Sequence, residues 1–229
     1  MKAMHRLLFL ILFLATAIAV DAQEDMEYRW EAGAAIGAVA YEGDFNGSIL
    51  RDMQPAGALV LRRILNPYMA LRLCASYGKL KGSSADVKTV YPAYRRQVYR
   101  FDNTLTDIGL VYEYNFWPYG TGRDYRGAQR LTPFVLAGLG GTYVTGGGKD
   151  VFTAHIPLGL GVKYKLGKRL NIGIEWAMHF SLSDELDGVK DPYGVKSSGI
   201  FKNTDCYSTM IVGLTYSFAP KCRTCNKDF

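Results

Sequence analysis

Beyond its first 22 residues the chain lacks any apolar stretch of 18 residues, so the sequence predicts no membrane-spanning helix in the mature protein. It also lacks a low-complexity run, an interdomain linker and a periodic glycine repeat. Its 16 Tyr, 11 Phe and 3 Trp residues are too many for a disordered or collagen-like chain. Two classes remain, a soluble β domain and a membrane β-barrel.

The first 22 residues have the features of a secretory signal peptide. Basic residues precede an apolar segment over 7–19, and small residues precede a predicted cleavage between Ala22 and Gln23. Because Gln rather than Cys follows the cut, we expect an exported protein without a lipid anchor. The predicted segments are a signal peptide at 1–22, an outer-membrane β-barrel at 23–218 and a periplasmic C-terminal tail at 219–229.

Four cysteines are too few and too unevenly spaced for a disulfide framework. Cys222 and Cys225 have the spacing of half a zinc site or of a redox pair, but no second Cys or His pair lies nearby in the sequence. In an oxidising compartment, the favoured interpretation is a local disulfide between Cys222 and Cys225 in the tail.

The mature chain repeats one pattern about eight times: a run of alternating apolar and polar side chains followed by turn residues. In the clearest run, over 170–181, every second residue is large and apolar, and the residues between are polar or small. The fifth run does not define its buried face, because Phe134 and Leu136 alternate with the apolar Val135 and Leu139. The predicted strands cover about 28–41, 55–65, 68–78, 107–116, 132–145, 156–166, 170–181 and 209–218.

Alternation fits a soluble antiparallel sandwich as well as a membrane barrel, but the lengths of the connections favour the barrel. The connections at 66–67 and 167–169 are tight, whereas those at 79–103 and 182–204 are long, as in outer-membrane barrels with short periplasmic turns. We therefore predict an all-β protein, an eight-stranded antiparallel transmembrane β-barrel of the bacterial outer membrane. Aromatic residues at the strand ends suit one interfacial girdle: Tyr28, Trp30, Tyr114, Phe116, Tyr164, Tyr216 and Phe218.

An eight-stranded barrel has an interior that side chains just fill, so we expect no diffusion pore. The predicted inward positions include Arg72, Glu113, Lys163 and Glu175. These opposite charges are expected to pair as a structural network in the lumen rather than to relay ions or protons.

One pair of residues has a precedent in catalysis. His179 and Ser181 resemble the His-x-Ser pair of the lipid A deacylase barrels, with Glu175 four residues before the histidine. Here the apolar Met178 and Phe180 occupy the outward positions, so His179 and Ser181 are expected to face the lumen, away from lipid. The sequence accordingly predicts no enzyme, no catalytic residues, no metal site, no cofactor and no small-molecule substrate.

Positive charge is concentrated on the predicted periplasmic side. The segments 62–68, 117–131, 165–169 and 219–229 contain eleven Lys or Arg residues and two acids, a local net charge of +9 against +5 for the mature chain. Two interpretations remain open, attraction to anionic phospholipid of the inner leaflet and binding of an acidic periplasmic partner. Export and the barrel pattern exclude nucleic acid as the partner.

An ordered set of motifs is spread over most of the mature chain. One of them is the segment Glu113–Tyr119, of sequence EYNFWPY, at the end of the fourth strand. The other segments are Tyr41–Asn46, Leu71–Arg72, Tyr77–Gly78, Thr132–Gly141, Ile156–Tyr164, Arg169–Trp176 and Ser183–Val189. Together they resemble the PorG family of outer-membrane barrels from the type IX secretion system. Residues 96–101 depart from the family pattern, so the resemblance is weakest in that loop.

The resemblance implies a non-enzymatic component of the type IX apparatus that contacts a periplasmic ring formed by the lipoprotein PorK and its partner PorN. The basic periplasmic side would suit this docking. The other expected partner of the barrel is the lipid of the outer membrane. The alternative is a small surface adhesin or stress-type barrel that acts through its extracellular loops. The predicted contact residues for the ring are Trp117, Pro118, Tyr119, Arg123, Arg126, Arg130, Lys168 and Arg169.

Overall fold

In a computed structural model, eight antiparallel strands form one closed barrel, in which each strand pairs with its neighbours in the chain and the first strand pairs with the last. The predicted fold class is thus confirmed, and the alternative of a sandwich is wrong because the sheet closes on itself. The structure describes residues 28–43, 46, 51–85, 98–121, 128–146, 150–188 and 205–220. The strands are β1 (Tyr28–Glu42), β2 (Gln54–Asn66), β3 (Met69–Ser83), β4 (Arg100–Asn115), β5 (Leu131–Thr145), β6 (Val151–Lys165), β7 (Leu170–Ser181) and β8 (Cys206–Pro220). Over these ranges, no helix has the length and apolar character needed to cross a membrane.

The two rims of the barrel differ in the length of their connections. We call the end with the connections 67–68, 116–130 and 166–169 the short-turn rim, and the opposite end the long-loop rim. In outer-membrane barrels the short turns face the periplasm. The connections at the long-loop rim are 43–53, 84–99, 146–150 and 182–205.

Strands β3 and β4 extend farther towards the long-loop rim than the sequence predicts. Leu80 pairs with Asn103 and Ser83 pairs with Arg100, so the connection between these strands is shorter than expected. In this extension the outward positions are charged, and Lys81 lies 3.1 Å from Asp102. The apolar-outward pattern that identifies a lipid-facing strand is therefore absent there. Strand β8 also continues two residues past the predicted end at 218.

Over their predicted lengths, strands β4, β6, β7 and β8 alternate as predicted, with large apolar residues outside and, apart from Val111 and Ile211, polar or small residues inside. Strand β5, whose face the sequence leaves open, turns Phe134 and Leu136 inward and Val135 and Leu139 outward. A Cβ atom added at Gly161 would lie 2.6 Å from Cζ of Phe134. The glycine on β6 therefore leaves the space that the inward phenylalanine ring occupies.

The long-loop rim is closed from inside by the segment 182–188. Leu186 is fully buried and packs in an apolar cluster. The amide of Asn103 donates a 2.8 Å hydrogen bond to the Leu186 carbonyl, and the Tyr99 hydroxyl donates one of 2.9 Å to the Asp187 carbonyl. These bonds hold the segment in the mouth of the barrel. The other buried members of the cluster are Val39, Tyr41, Leu80, Phe101, Leu105, Val144 and Tyr207.

Candidate functional site

The lumen half nearest the short-turn rim contains a buried network of three acids and three bases. Glu113 on β4 is its centre, since its carboxylate lies 2.9 Å from Nε of Arg62, 3.1 Å from Nη1 of Arg72 and 2.9 Å from Nζ of Lys163. Arg62 also pairs with Glu31 at 2.5 Å, and Arg72 pairs with Glu175. Equal numbers of acids and bases let the group be buried without a net charge.

The structure brings together all four predicted lumen charges and adds Glu31 and Arg62. Arg62 belongs to the segment 62–68, which is expected on the periplasmic side, but its side chain is buried in the lumen. The alternation on β2 contains the missing signal, because Arg62 is in phase with the inward Ala58 and Val60. Arginine stays protonated, so the network is suited to hold the strands in register and to close the lumen rather than to carry protons.

Tyr119 lies across the lumen at the short-turn rim rather than on its outer surface. Its backbone N–H donates to the Pro67 carbonyl at 3.0 Å, and its hydroxyl donates to Oδ1 of Asn171 at 3.2 Å. The ammonium groups of Lys163 and Lys165 lie 5.1 and 5.0 Å from the centre of its ring. Tyr119 is therefore part of the closure of the barrel, and Lys165, which sequence analysis counted in the periplasmic charge, is buried beneath it.

Other predicted contact residues do lie on the surface of the short-turn rim. Trp117 is 41% exposed, and its backbone N–H and carbonyl both bond to the Thr132 hydroxyl at 3.1 Å. Pro118 is half-buried, with its carbonyl accepting from the Gln129 N–H at 2.7 Å, and Arg130 is exposed. Arg123, Arg126, Cys222, Cys225, Ala22 and Gln23 lie outside the described residues.

Arg169 and Lys168 are exposed on the β6–β7 turn. The Arg169 guanidinium donates to the hydroxyls of Tyr28, at 3.3 Å, and Tyr216, at 3.1 Å. These two hydrogen bonds raise the pKa of Arg169. A second arginine, Arg63, lies 5.7 Å from the centre of the Trp30 ring. The rim thus presents fixed cations next to aromatic rings.

Six of the seven predicted girdle residues are partly or well exposed at this rim, whereas Tyr28 is buried beneath Arg169. Tyr114 and Phe116 form an edge-to-face pair with centroids 5.9 Å apart. Aromatic rings at the membrane interface are typical of outer-membrane barrels.

A second polar cluster lies nearer the long-loop rim, between the ion network and the segment 182–188. The rings of His155 and His179 are 5.0 Å apart, and Asp107 contacts His155. Among the His, Cys, Asp and Glu residues that the structure describes, only these three form a group that could hold a metal ion. One possible ligand atom of each residue lies within 4.8 Å of those of the other two. His179 and Ser181 face the lumen, and His179 hydrogen-bonds to Thr209.

Comparison with known families assigns nearly the whole chain to one of them. Residues 5–227 match the family described as "Domain of unknown function (DUF6089)". The chain belongs to this family. No curated protein sequence matches this DUF6089 chain.

Solved bacterial surface and outer-membrane proteins are similar in structure to this DUF6089 chain. The Neisserial surface protein A is 16% identical with a TM-score of 0.50, over 82% of this chain and 97% of that one. OprG from Pseudomonas aeruginosa is 11% identical with a TM-score of 0.49, over 87% of this chain and 100% of that one. Ail, the attachment invasion locus protein of Yersinia pestis, is 11% identical with a TM-score of 0.43, over 83% and 99%.

The exposed surface explains the cellular location. A belt of large apolar side chains encircles the closed barrel, and Ile36, Leu139 and Phe152 are each about 70% exposed. Such a belt around a polar lumen is the architecture of bacterial outer-membrane proteins. The DUF6089 barrel is a protein of the bacterial outer membrane, as the sequence predicts.

Proposed function

We propose that this DUF6089 barrel is a non-enzymatic component of the type IX protein secretion apparatus, and that its short-turn rim holds a periplasmic ring of PorK and PorN at the outer membrane. The observation that supports the proposal is the charge of that rim. In its described part, Arg63, Arg130, Lys168 and Arg169 are exposed, and the turns 67–68, 116–121, 128–130 and 166–169 contain no acid. The identity of the partner comes from the resemblance of the sequence motifs to the PorG family.

The filled lumen favours an organising role over transport through the barrel. Segment 182–188 occupies the long-loop mouth, the network around Glu113 occupies the other half, and Tyr119 covers the short-turn mouth. An eight-stranded barrel filled in this way has no room for a secreted polypeptide. What the protein can offer to a secretion machine is its surface.

The rim has the composition of a protein-binding surface. Trp and Arg are enriched among the residues that contribute most to protein interfaces, and here the exposed Trp117 lies on the same rim as Arg130 and Arg169. Because Arg169 is already held by two tyrosine hydroxyls, its ordering on binding costs little entropy. A basic surface also accelerates the encounter with an acidic partner, and the rate falls with salt.

The test is recovery of the ring proteins with the tagged barrel from outer membranes solubilised in mild detergent. The variant Arg130→Gln/Lys168→Gln/Arg169→Gln is expected to fold, as shown by heat-dependent gel mobility, and to recover much less PorK and PorN. Arg123→Gln/Arg126→Gln tests the two predicted contacts outside the described residues. The matched control, Lys79→Gln/Lys81→Gln/Arg100→Gln, removes the same charge at the long-loop rim and is expected to leave recovery unchanged.

Equal recovery from the wild type and the short-turn variants would contradict the proposed contact. Absence of ring proteins from the wild-type sample would contradict the secretion role itself and favour a barrel that acts through its extracellular loops. If the short-turn variants lose only affinity for vesicles of anionic phospholipid, the basic rim serves the membrane rather than a protein partner.

A further inference from the structure

The polar cluster in the middle of the barrel contains the only two histidines beyond residue 22. His155 on β6 and His179 on β7 point into a cavity of about 40 Å³, which Asp107, Cys74 and Ser76 also line. Each imidazole has one nitrogen with a hydrogen-bond partner and one buried nitrogen without any, Nε2 of His155 and Nδ1 of His179. A buried polar atom without a partner is costly, so two on adjacent rings require an explanation.

For His155, the hydrogen bonds of its neighbours fix the tautomer. The hydroxyls of Thr142 and Tyr207 both donate to Oδ2 of Asp107, at 3.1 and 2.9 Å. The Thr142 oxygen, 2.9 Å from Nδ1 of His155, can then only accept. Nδ1 therefore carries the proton, and the unpartnered Nε2 carries a lone pair.

His179 has a comparable hydrogen bond. The Thr209 hydroxyl lies 3.5 Å from the Ala177 carbonyl, to which it can donate, and its oxygen can accept from Nε2 of His179 at 3.2 Å. The lone pair is then on Nδ1, the nitrogen without a partner. The ring is held in place by stacking on Tyr207, with centroids 4.4 Å apart. Two neutral imidazoles thus bring lone pairs into one cavity, where no described donor meets either of them.

The surroundings of His155 are built to hold its ring. A Cβ atom added at Gly140 would lie 2.3 Å from Cε1 of His155, so the ring occupies the space that this glycine leaves open on β5. Oδ2 of Asp107 lies 3.2 Å from Nδ1 of His155, and the nearest hydroxyl to Oδ1 is that of Ser76 at 3.5 Å. Nδ1 of His155 is thus held by its hydrogen bond with Thr142 while Nε2 stays bare, which is the usual arrangement of a histidine that binds a metal ion.

We propose that Nε2 of His155, Nδ1 of His179 and the Asp107 carboxylate form a binding site for a divalent transition-metal ion inside the barrel. Neutral imidazole and carboxylate ligands suit Zn²⁺, which accepts two histidines and one acid and completes a tetrahedron with water. The cavity beside the three residues supplies room for that water. The proposed metal site and the proposed secretion role do not depend on each other.

The experiment is a Zn²⁺ titration of the full mature chain, purified without a polyhistidine tag and freed of metal with a chelator. It is done in a Cys222→Ser/Cys225→Ser background, which removes the tail thiols as competing ligands. We expect one Zn²⁺ per barrel by calorimetry and by metal analysis after gel filtration. His155→Gln, His179→Gln and Asp107→Asn are each expected to weaken binding at least tenfold, with heat-dependent gel mobility as the test of folding.

Nitrogen NMR of the wild-type chain supplies a measurement that needs no variant. With only two histidines in the mature chain, the imidazole spectrum can be assigned, and Zn²⁺ is expected to shift Nε2 of His155 and Nδ1 of His179 while the protonated nitrogens stay protonated. Absence of these shifts, or unchanged Zn²⁺ binding in a folded His155→Gln/His179→Gln chain, would overturn the proposal. So would loss of binding in Cys74→Ser with retention in both histidine variants, because the thiol would then be the ligand.

Discussion

Glu113 on β4 and Lys163 on β6 form an ion pair of 2.9 Å across the lumen, with both side chains buried. The same carboxylate contacts Arg62 and Arg72, so a single acid contacts three bases that belong to three other strands. Because three buried bases share this one carboxylate, the network depends on Glu113 more than on any of its outer members.

We predict that Glu113→Ala lowers the free energy of unfolding by about 3–5 kcal/mol, because it leaves buried cations without their counter-ion. The matched variant is Glu175→Ala, at the edge of the network, which leaves Arg72 in contact with Glu113. The loss of unfolding free energy in this variant should be clearly smaller. Urea titration of the folded barrel in lipid vesicles measures both, and equal losses would show that Glu113 is not the centre of the network.

The fold could be predicted where lipid imposes a pattern on the sequence. On β7, every second residue is large and apolar because those side chains face the membrane, and this fixed both the strand and its faces. The pattern fails on β5, where the lumen also accepts an apolar ring: Phe134 packs against Gly161, a residue of the next strand. It fails again at Lys81 and Asp102, whose strands extend beyond the apolar belt.

The lumen site was only partly predictable for a related reason. Parity along a strand identified Arg72 and Glu113 as inward, and the same rule applied to β2 would have included Arg62. The cluster of His155, His179 and Asp107 could not be predicted from the parity along any one strand. Its residues come from three strands, and only the closure and register of the barrel show that they meet.

Closure between the first and last strands depends on a glycine. A Cβ atom at Gly33 would lie 2.0 Å from the Leu214 carbonyl oxygen, a backbone atom of β8 that cannot move aside. We predict that Gly33→Ala destabilises the barrel by about 1–3 kcal/mol, as overpacking does elsewhere. In Gly173→Ala, also inward-facing, the added carbon meets nothing closer than 3.5 Å, so unfolding should be nearly unchanged. Similar urea midpoints for the two variants would show that Gly33 is not needed for the close pairing of β1 with β8.

The mouth at the long-loop rim should loosen as the pH rises. Burial and the neighbouring Asp187 carboxylate raise the pKa of Asp205 well above its ordinary value, and the single Tyr41 hydroxyl serves both acids. A raised pKa means that the folded state binds the proton more tightly than the unfolded state does. The stabilisation is therefore complete below pH about 4 and is lost as the pH rises through the folded-state pKa.

Hydrogen exchange of segment 182–188, corrected for the intrinsic pH dependence of exchange, measures this effect. We expect protection to decrease from acidic to neutral pH in the wild type and to be nearly independent of pH in Asp205→Asn, which cannot ionise. An increase in protection with pH in the wild type would mean that the ionised carboxylate, which accepts from the Leu186 N–H at 2.9 Å, is the favoured form.

Tyr119 should stabilise the short-turn mouth without being the barrier to ions. Its ring faces the ammonium groups of Lys163 and Lys165, and its hydroxyl bonds to Asn171. Tyr119→Phe loses only the hydrogen bond, which should lower the free energy of unfolding by about 0.5–1.5 kcal/mol. Tyr119→Leu also loses the interaction of the ring with two desolvated cations, which should lower the free energy of unfolding by about 2 kcal/mol more. Neither variant should conduct ions in a planar bilayer, because the network around Glu113 and the segment 182–188 still fill the lumen behind the ring. Stable conductance in Tyr119→Leu alone would instead identify Tyr119 as the gate of a latent channel.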